Sequence, residues 1–173
     1  MAKVVISHRL HDDGMAVLEN AGVDVVITNS GDPKVMLPEL KDADGVIIRI
    51  GSIDRETMEQ CPKLKVIGRP GVGVDDVDVE AAIELGIPVV IAPGANSRSV
   101  AEHAMAMMFA CAKDMMRSDR EMRKGNFGIR SSYKAYELGG KTLGLLGYGH
   151  IGSIFAGMAA GIGMKVLVYD PLS

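Results

Sequence analysis

The sequence KTLGLLGYGHIGSIFAGMAAGIGMKVLVYDP, residues 141–171, carries the strongest structural signal in the chain. Leu143 to Leu146 is a short apolar run that predicts a buried strand, and the residues that follow it, GYGHIG at 147–152, predict a tight turn. A helix is predicted from Ile151 to about Ile162, and a second strand from Lys165 to Tyr169. The stretch therefore predicts a βαβ unit.

The glycines of this turn have the spacing GxGxxG, which in this context is typical of dinucleotide-binding sites. Gly147 permits a sharp turn off the strand, Gly149 lets the backbone approach a pyrophosphate, and Gly152 lets the helix pack closely on the sheet. The helix begins at this turn, so its free N–H groups and its partial positive charge face the phosphates. The turn and helix together predict a phosphate-binding site.

An acidic residue ends the second strand of the same unit. Asp170 stands about 18 residues after Gly152, where a carboxylate can accept hydrogen bonds from the hydroxyls of an adenosine ribose. Its negative charge repels a 2′-phosphate, so the sequence favours NAD over NADP. The alternative is a glycine-rich turn in which Asp170 only caps a loop.

The composition excludes several classes of protein. The chain has 173 residues, of which 47% are hydrophobic, and its longest apolar run, residues 104–112, is too short to span a bilayer. A net charge of −3 and an aromatic content of 4% argue against nucleic-acid binding. Cys61 and Cys111 lie far apart in the sequence, so we expect unpaired thiols in a reducing compartment. The histidines lack the spacing of metal ligands, so we expect no metal site. Together with the short apolar runs, this predicts a cytoplasmic protein without a membrane segment.

Short apolar runs alternate with helical segments from the N-terminus to about residue 91. Strands are predicted at Lys3–Ser7, Val23–Thr28, Gly45–Ile50, Lys65–Gly68 and Pro88–Ile91, and helices at Asp12–Ala21, Lys34–Lys41, Asp54–Gln60 and Asp78–Leu85. Nearly all-apolar strands separated by helices indicate a parallel sheet that is covered on both faces. The first part of the chain is therefore predicted to be a doubly wound α/β domain.

Three segments follow strands of this sheet, at the edge where such domains bind ligands. Arg49 ends the third strand, RPGVGVD at 69–75 follows the fourth, and Asn96 follows the fifth. A guanidinium, a glycine turn with inward N–H groups and a carboxamide could together hold a small carboxylate or phosphate. The alternatives are a surface ion pair for Arg49, a structural turn for the glycines and a helix-entry role for Asn96.

A long helix is predicted next. Ser99 and Glu102 have capping-box spacing, and the helix is expected to run to about Lys124 and to stop at Gly125. It is apolar nearly all round as far as Met116, so we expect it to lie between two domains or in a subunit interface, with its methionines filling gaps in the core. These features predict a homodimer formed through residues 99–124.

Two long runs resemble the D-isomer-specific 2-hydroxyacid dehydrogenases, most closely their D-3-phosphoglycerate dehydrogenase branch. They are RPGVGVDDVDVEAAIELGIPVVIAPGANSRSVAEHAMAMM at 69–108 and ELGGKTLGLLGYGHIGS at 137–153, and VYDP follows at 168–171. The resemblance implies a flavodoxin-like substrate domain, residues 1–98, then an interdomain or interface helix and arm, residues 99–140. Residues 141–173 would be the start of a Rossmann domain that binds NAD.

The resemblance also assigns residues to roles. It implies that Arg49 and Asn96 contact the substrate's acidic group and that the amides of Val72 and Gly73 hold its carboxylate. It implies that Asp170 binds the ribose of the cofactor. The pyrophosphate turn would consist of Gly147, Gly149, His150, Ile151 and Gly152. Three positions depart from the family pattern: Pro70 removes an N–H ahead of the glycine turn, Asp76 stands where Asn is usual, and His150 stands where Arg or Asn is common.

The activity implied is hydride transfer between NAD and C2 of a small 2-hydroxy or 2-keto acid. The family's catalytic Arg, Glu and His are expected beyond residue 173, so no residue of this chain is nominated as catalytic. We therefore expect an N-terminal part of such an enzyme, inactive alone and binding NAD weakly. The alternatives are a non-catalytic dimeric module for interaction or small-acid binding, and a stand-alone flavodoxin-like binding domain ending at Pro93.

Overall fold

The computed structural model describes residues 1–132 and 134–172, and these divide into two compact units. The first unit is Met1–Pro93 and the second is Gly94–Ser173. Tyr133, in the predicted arm, and Ser173, at the end of the predicted nucleotide unit, lie outside the described residues.

The first unit is a five-stranded parallel sheet whose strands are connected by helices. Its elements are β1 (Lys3–Ile6), α1 (Asp12–Asn20), β2 (Asp24–Ile27), α2 (Pro33–Leu40), β3 (Gly45–Ile47), α3 (Arg55–Glu59), β4 (Val66–Arg69), α4 (Val79–Glu84) and β5 (Val89–Ile91). The strand order is β2-β1-β3-β4-β5, the flavodoxin-like order. The predicted fold class is confirmed, although several predicted elements extend one to three residues beyond the observed ones.

The central strands form the core because they are apolar on both faces. Val5, Val46 and Ile67 occupy neighbouring strands β1, β3 and β4, pair in register, and are at most 1% exposed. Met36 and Leu40 of α2 are completely buried in the same cluster. Burial of such side chains contributes about 1.5–3 kcal/mol each. This packing fixes the carboxyl ends of β1, β3 and β4 against one another.

The second unit contains the predicted βαβ unit. Its elements are α5 (Ser97–Ala112), α6 (Met115–Arg123), a 3-10 helix (Phe127–Ser132), β6 (Thr142–Leu146), α7 (His150–Gly161) and β7 (Lys165–Tyr169). The two strands are parallel, with Leu143 opposite Val166 and Leu145 opposite Val168. The buried residues Ala112, Leu138, Ala159 and Met164 form the core of this unit.

The single long helix predicted over residues 99–124 is wrong. The chain forms two helices, α5 and α6, because Asp114 adopts a left-handed conformation with φ of +48°. Aspartate tolerates this conformation better than most residues. The end of α5 is held by Tyr136, whose N–H donates to the Ala112 carbonyl at 2.9 Å. Tyr136 thus caps the end of α5, at a place where the sequence has no glycine or proline.

The predicted capping box at the start of this helix is also wrong. The helix begins at Ser97, two residues before Ser99, so Ser99 lies inside the first turn. Glu102, the second residue of the predicted box, instead faces Arg98 one turn earlier at 3.5 Å. An N-terminal capping bond from Ser99 is therefore not formed.

The methionines of these helices divide between core and surface. Met105 and Met108 pack against the buried cluster of the second unit, which confirms that some of them fill its core. Met107, Met115 and Met116 are 52%, 52% and 73% exposed. The helix is thus only partly buried within its own unit, and its place between two domains or in a subunit interface stays a prediction.

Two features of the described residues concern membranes and metals. None of the helices in residues 1–132 and 134–172 is long and apolar enough to cross a membrane. Within the same residues, no group of three or more His, Cys, Asp or Glu side chains is placed to hold a metal ion. Cys61 and Cys111 are both unpaired thiols.

The first unit is expected to lose stability in acid through Asp44. Its carboxylate accepts from Lys65 Nζ at 2.7 Å and from the Lys3 backbone N–H at 3.0 Å. The Lys65 ammonium first, and then the Lys3 N–H, lower the pKa of this carboxyl below its ordinary value of 3.8. A lowered pKa stabilises the fold above the unfolded-state value, and this contribution disappears as the pH falls through the folded-state value.

We therefore expect the free energy of unfolding to fall as the pH drops below 3.8, and to fall less in Asp44→Asn. Urea unfolding between pH 6 and pH 2.5 measures both. Identical pH dependence in the two proteins would contradict the role given to Asp44.

Candidate functional site

The glycine-rich turn has the geometry that its sequence predicts. Gly147 has φ of +95°, in the region that favours glycine, and its N–H donates to the Tyr169 carbonyl at 2.8 Å. A Cβ placed on Gly152 would lie 2.2 Å from the Gly147 carbonyl oxygen. The strand β6 can therefore turn sharply into α7 only because position 152 has no side chain.

The N-terminus of α7 presents free backbone N–H groups. Gly149 is the N-cap residue and forms no side-chain capping bond, and none of the described groups accepts from the N–H of His150 or Ile151. A Cβ placed on Gly149 would meet no protein atom within 4 Å. The space beside this glycine is therefore open to a ligand, and the N–H groups of the first turn favour an anion there.

Asp170 contacts the glycine-rich turn directly. Its Oδ2 accepts from the Tyr148 N–H at 2.5 Å, and its Oδ1 accepts from the Leu172 N–H at 2.8 Å. The bond from Tyr148, and secondly that from Leu172, lower the pKa of the Asp170 carboxyl. The carboxylate is thus ionised near neutral pH and supports the turn. A carboxylate has about four lone-pair positions, so this role is compatible with contacts to a ribose.

A cavity of about 340 Å³ lies at the carboxyl edge of the first unit. It is lined by Leu10, His11, Gly14, Arg49 and Pro70. These residues follow β1, β3 and β4, and the strand order reverses between β1 and β3. Parallel α/β sheets bind ligands beyond the strand ends at such a reversal.

Arg49 is held at this edge by its backbone. Its N–H donates to Ser7 Oγ at 2.9 Å, and its carbonyl accepts from Arg69 at 2.8 Å. In the part of the chain that the structure describes, the Arg49 side chain forms no ion pair. The surface ion pair considered as its alternative is thus not observed, and the exposed guanidinium is available to an acidic ligand.

The glycine turn after β4 presents two backbone donors. Val72 is 49% exposed, and none of the described groups accepts a hydrogen bond from the N–H of Val72 or Gly73. Pro70, which lacks an N–H, leaves both of these donors in place. Arg49 and the Val72–Gly73 turn follow neighbouring strands, so the structure brings them to the same edge of one sheet.

Asn96 belongs to the second unit, whereas Arg49 belongs to the first. By its backbone it is the N-cap residue of α5, which agrees with a helix-entry position. Its side chain, however, forms no capping hydrogen bond, and the residue is exposed. The carboxamide can therefore contact a ligand.

Two more residues support this edge: Ser7 was not among the predicted site residues, and Arg69 was named only as the first residue of the segment 69–75. Ser7 is completely buried, and its Oγ accepts from the N–H groups of Arg49 and Ile50 at 2.9 and 3.3 Å. Arg69 forms an ion pair of 2.7 Å with Asp76 and donates to two carbonyls of the neighbouring loop. The sequence signal that could have indicated both residues is a polar residue at the end of an apolar strand, since Ser7 follows β1 and Arg69 ends β4.

Two buried nitrogen atoms among the described residues have no hydrogen-bond partner, namely His8 Nδ1 and Arg69 Nε. Both belong to residues at the carboxyl edge of the first sheet. Unpaired buried polar atoms destabilise a fold and are uncommon in folded proteins. Their positions agree with a ligand site at this edge.

The chain was compared with known families and proteins. Residues 4–165 match the model of the family described as D-isomer specific 2-hydroxyacid dehydrogenase, catalytic domain. The D-3-phosphoglycerate dehydrogenase of Methanocaldococcus jannaschii is 42% identical over 99% of the chain, which covers 32% of that protein. The chain thus spans about a third of the length of the curated relatives it matches.

Solved structures of similar proteins agree with the observed fold. D-lactate dehydrogenase of Aquifex aeolicus, complexed with NAD and lactic acid, has a TM-score of 0.85 and 32% identity, covering 98% of this chain and 52% of its own. NAD⁺-bound 3-phosphoglycerate dehydrogenase of Entamoeba histolytica has a TM-score of 0.80 and 34% identity, covering 99% and 55%.

Proposed function

The chain belongs to the D-isomer-specific 2-hydroxyacid dehydrogenase family, and on this premise we propose that it supplies the contacts for NAD and for a small 2-hydroxy acid in an NAD-dependent dehydrogenase. The glycine-rich turn carries this proposal. In this turn Gly152 lies close to Gly147, and the N-terminus of α7 has no capping side chain. Backbone N–H groups alone would therefore bind a phosphate here. Bound NAD would supply the hydride acceptor for oxidation at C2.

The cofactor contacts that we propose lie entirely in the second unit. The N–H groups of His150 and Ile151 would bind the pyrophosphate beside Gly149, where the open space fits a group that approaches the backbone. Asp170 would both support the turn and contact the adenosine ribose, and its charge disfavours a 2′-phosphate. NADH fluorescence should therefore show saturable binding, with NADPH binding about tenfold or more weakly. Equal binding of both would contradict the role of Asp170.

We propose acid contacts in each unit by itself. In the first unit, Arg49 would pair with the acidic group, and the N–H groups of Val72 and Gly73 would bind the carboxylate. In the second unit, the exposed Asn96 carboxamide would offer an acid a hydrogen bond. Proton transfer is assigned to no residue of this chain, so the 173-residue chain should bind the acid and cofactor without turnover.

D-3-phosphoglycerate is the substrate that we propose, because the curated relatives with 34–42% identity carry that name. A phosphorylated acid also presents more negative charge to the uncompensated Arg49 than lactate does. Calorimetric titration should give tighter binding of D-3-phosphoglycerate than of D-lactate. The reverse order would favour a different 2-hydroxy acid.

Arg49→Gln is expected to weaken D-3-phosphoglycerate binding by about tenfold or more, the value of a lost charged hydrogen bond. Arg55→Gln is the matched control, since it removes an arginine from the same unit whose 2.7 Å ion pair with Glu84 lies on α3 and α4. Calorimetry on both variants separates a local contact from a change of net charge. Equal losses in both would contradict the role of Arg49.

We also propose that residues 99–124 form a homodimer contact. Met115 and Met116 are exposed, and Phe127 nearby is 59% exposed. Methionine-rich exposed surface is typical of interfaces.

The unpaired thiols of Cys61 and Cys111 fit the reducing cytoplasm that we propose as the compartment.

Met116→Glu should therefore convert a dimer to a monomer in sedimentation experiments, because a charge would be desolvated at the contact. Val17→Glu, at a 68% exposed position on α1 of the first unit, is the control and should leave the dimer intact. A monomeric wild-type chain, or a dimer that survives Met116→Glu, would contradict this contact.

A further inference from the structure

We propose that Arg69 is a positioning residue that fixes the two backbone segments of the acid site, the loop after β3 and the glycine turn after β4. This inference rests on the proposed acid-binding function. It concerns a side chain that does not itself contact the acid.

The contacts of Arg69 connect both segments. Its Nη1 donates to the carbonyls of Ile48 and Arg49 at 3.1 and 2.8 Å, just past the end of β3. Its Nη2 donates to Asp76 Oδ2 at 2.7 Å, within the loop that follows β4. Ladder pairing of β3 stops at Ile47, and the Arg69 guanidinium supplies donors to the two carbonyls just beyond it.

The same loop segment is held from its other side by Ser7. The Arg49 peptide therefore has its N–H fixed by the Ser7 hydroxyl and its carbonyl fixed by the Arg69 guanidinium. These two contacts leave little freedom to the backbone from which the Arg49 side chain extends. A backbone bond from the Ile53 N–H to the Asp76 carbonyl, 2.9 Å long, joins the two loops once more.

Charge and burial argue that this arrangement serves geometry more than stability. The Arg69 side chain is only 18% exposed, and Asp76 neutralises it. Its Nε is nevertheless buried without a partner, which costs stability. Asp76, one of the positions that depart from the family pattern, thus neutralises Arg69, whereas Arg49 has no ion pair among the described residues.

The test is a titration of the full 173-residue chain with D-3-phosphoglycerate, followed by NMR at the Val72 and Gly73 amides. Arg69→Gln is expected to weaken binding by about tenfold or more, because a small misplacement of binding groups has large effects. Arg55→Gln removes an arginine whose pair with Glu84 is also 2.7 Å long. It should change affinity by less than about twofold, as surface pairs contribute little.

A double variant separates positioning from charge. Arg69→Gln alone leaves the Asp76 carboxylate unpaired, and its repulsion would weaken acid binding by itself. Arg69→Gln/Asp76→Asn removes both charges, so it should still bind about tenfold more weakly if positioning is the cause. Amide hydrogen exchange at Arg49 and Ile50 should accelerate in both variants, a local effect that a general loss of stability would not confine to this loop.

Should Arg69→Gln fail to fold, Ser7→Ala tests the same idea, because it removes the support of Arg49 from the opposite side. It is expected to weaken acid binding and to accelerate exchange at the same amides. Wild-type affinity in the double variant, or in a folded Ser7→Ala, would overturn the positioning role and leave acid binding by the chain intact. A wild-type chain that binds no D-3-phosphoglycerate would overturn the proposed function and this inference together.

Discussion

Replacing Gly152 with alanine is expected to destabilise the second unit by about 3 kcal/mol or more and to abolish NADH binding. The new Cβ would lie 2.2 Å from the Gly147 carbonyl oxygen and 3.0 Å from its carbon. Both are backbone atoms, so no side chain can rotate away, and α7 must separate from the turn. The melting temperature should fall by about 10 °C or more, as measured by circular dichroism.

Gly157→Ala is the matched control in the same helix. A Cβ at Gly157 meets nothing within 4 Å, so alanine there should stabilise α7 by about 0.5–1 kcal/mol and leave NADH binding unchanged. Both variants replace glycine with alanine in α7, so the difference between them reports the backbone clash and not helix propensity. Wild-type stability and affinity in Gly152→Ala would contradict the geometry of the turn.

Gly51→Ala should be similarly damaging to the first unit. Its Cβ would lie 2.2 Å from both the Cα and the carbonyl oxygen of Gly31, and Gly51 has φ of +103°. The loops after β2 and β3 therefore pack backbone against backbone beside Arg49. We expect a loss of about 3 kcal/mol or more, with loss of acid binding, by urea unfolding and calorimetry.

Gly86→Ala separates the clash from the backbone conformation. Gly86 also has a positive φ, +70°, but a Cβ there meets nothing within 4 Å. It should therefore cost only about 1–2 kcal/mol, the penalty for a left-handed residue, and leave acid binding unchanged. Equal destabilisation by the two substitutions would show that the contact with Gly31 contributes nothing.

The sequence predicted the fold where local signals and burial agree. Apolar runs such as Val4 to Ile6 are the central strands because parallel sheets bury both faces, and two such runs around a glycine turn predicted the βαβ unit that β6, α7 and β7 form. The location of Arg49 and of the glycine turn at 71–73 at one edge of the sheet could be predicted, because they follow strands and parallel strands end at one edge.

The remaining features depend on contacts between residues far apart in sequence. Nothing local shows that Gly31 meets Gly51, or that Tyr136 caps the end of α5 and so divides the predicted long helix at Asp114. The guanidinium of Arg69 reaches a neighbouring strand, which no spacing along the chain reveals.

The most direct test of the proposed NAD-binding function is an NMR titration of the isotopically labelled chain with NADH. We predict saturable shifts of the Gly149, His150 and Ile151 amides, because the phosphates would bind at these N–H groups. Smaller shifts are expected with NADPH at the same concentration. Saturable binding that leaves these amides unmoved, or no binding at all, would contradict the assignment of the glycine-rich turn as the cofactor site.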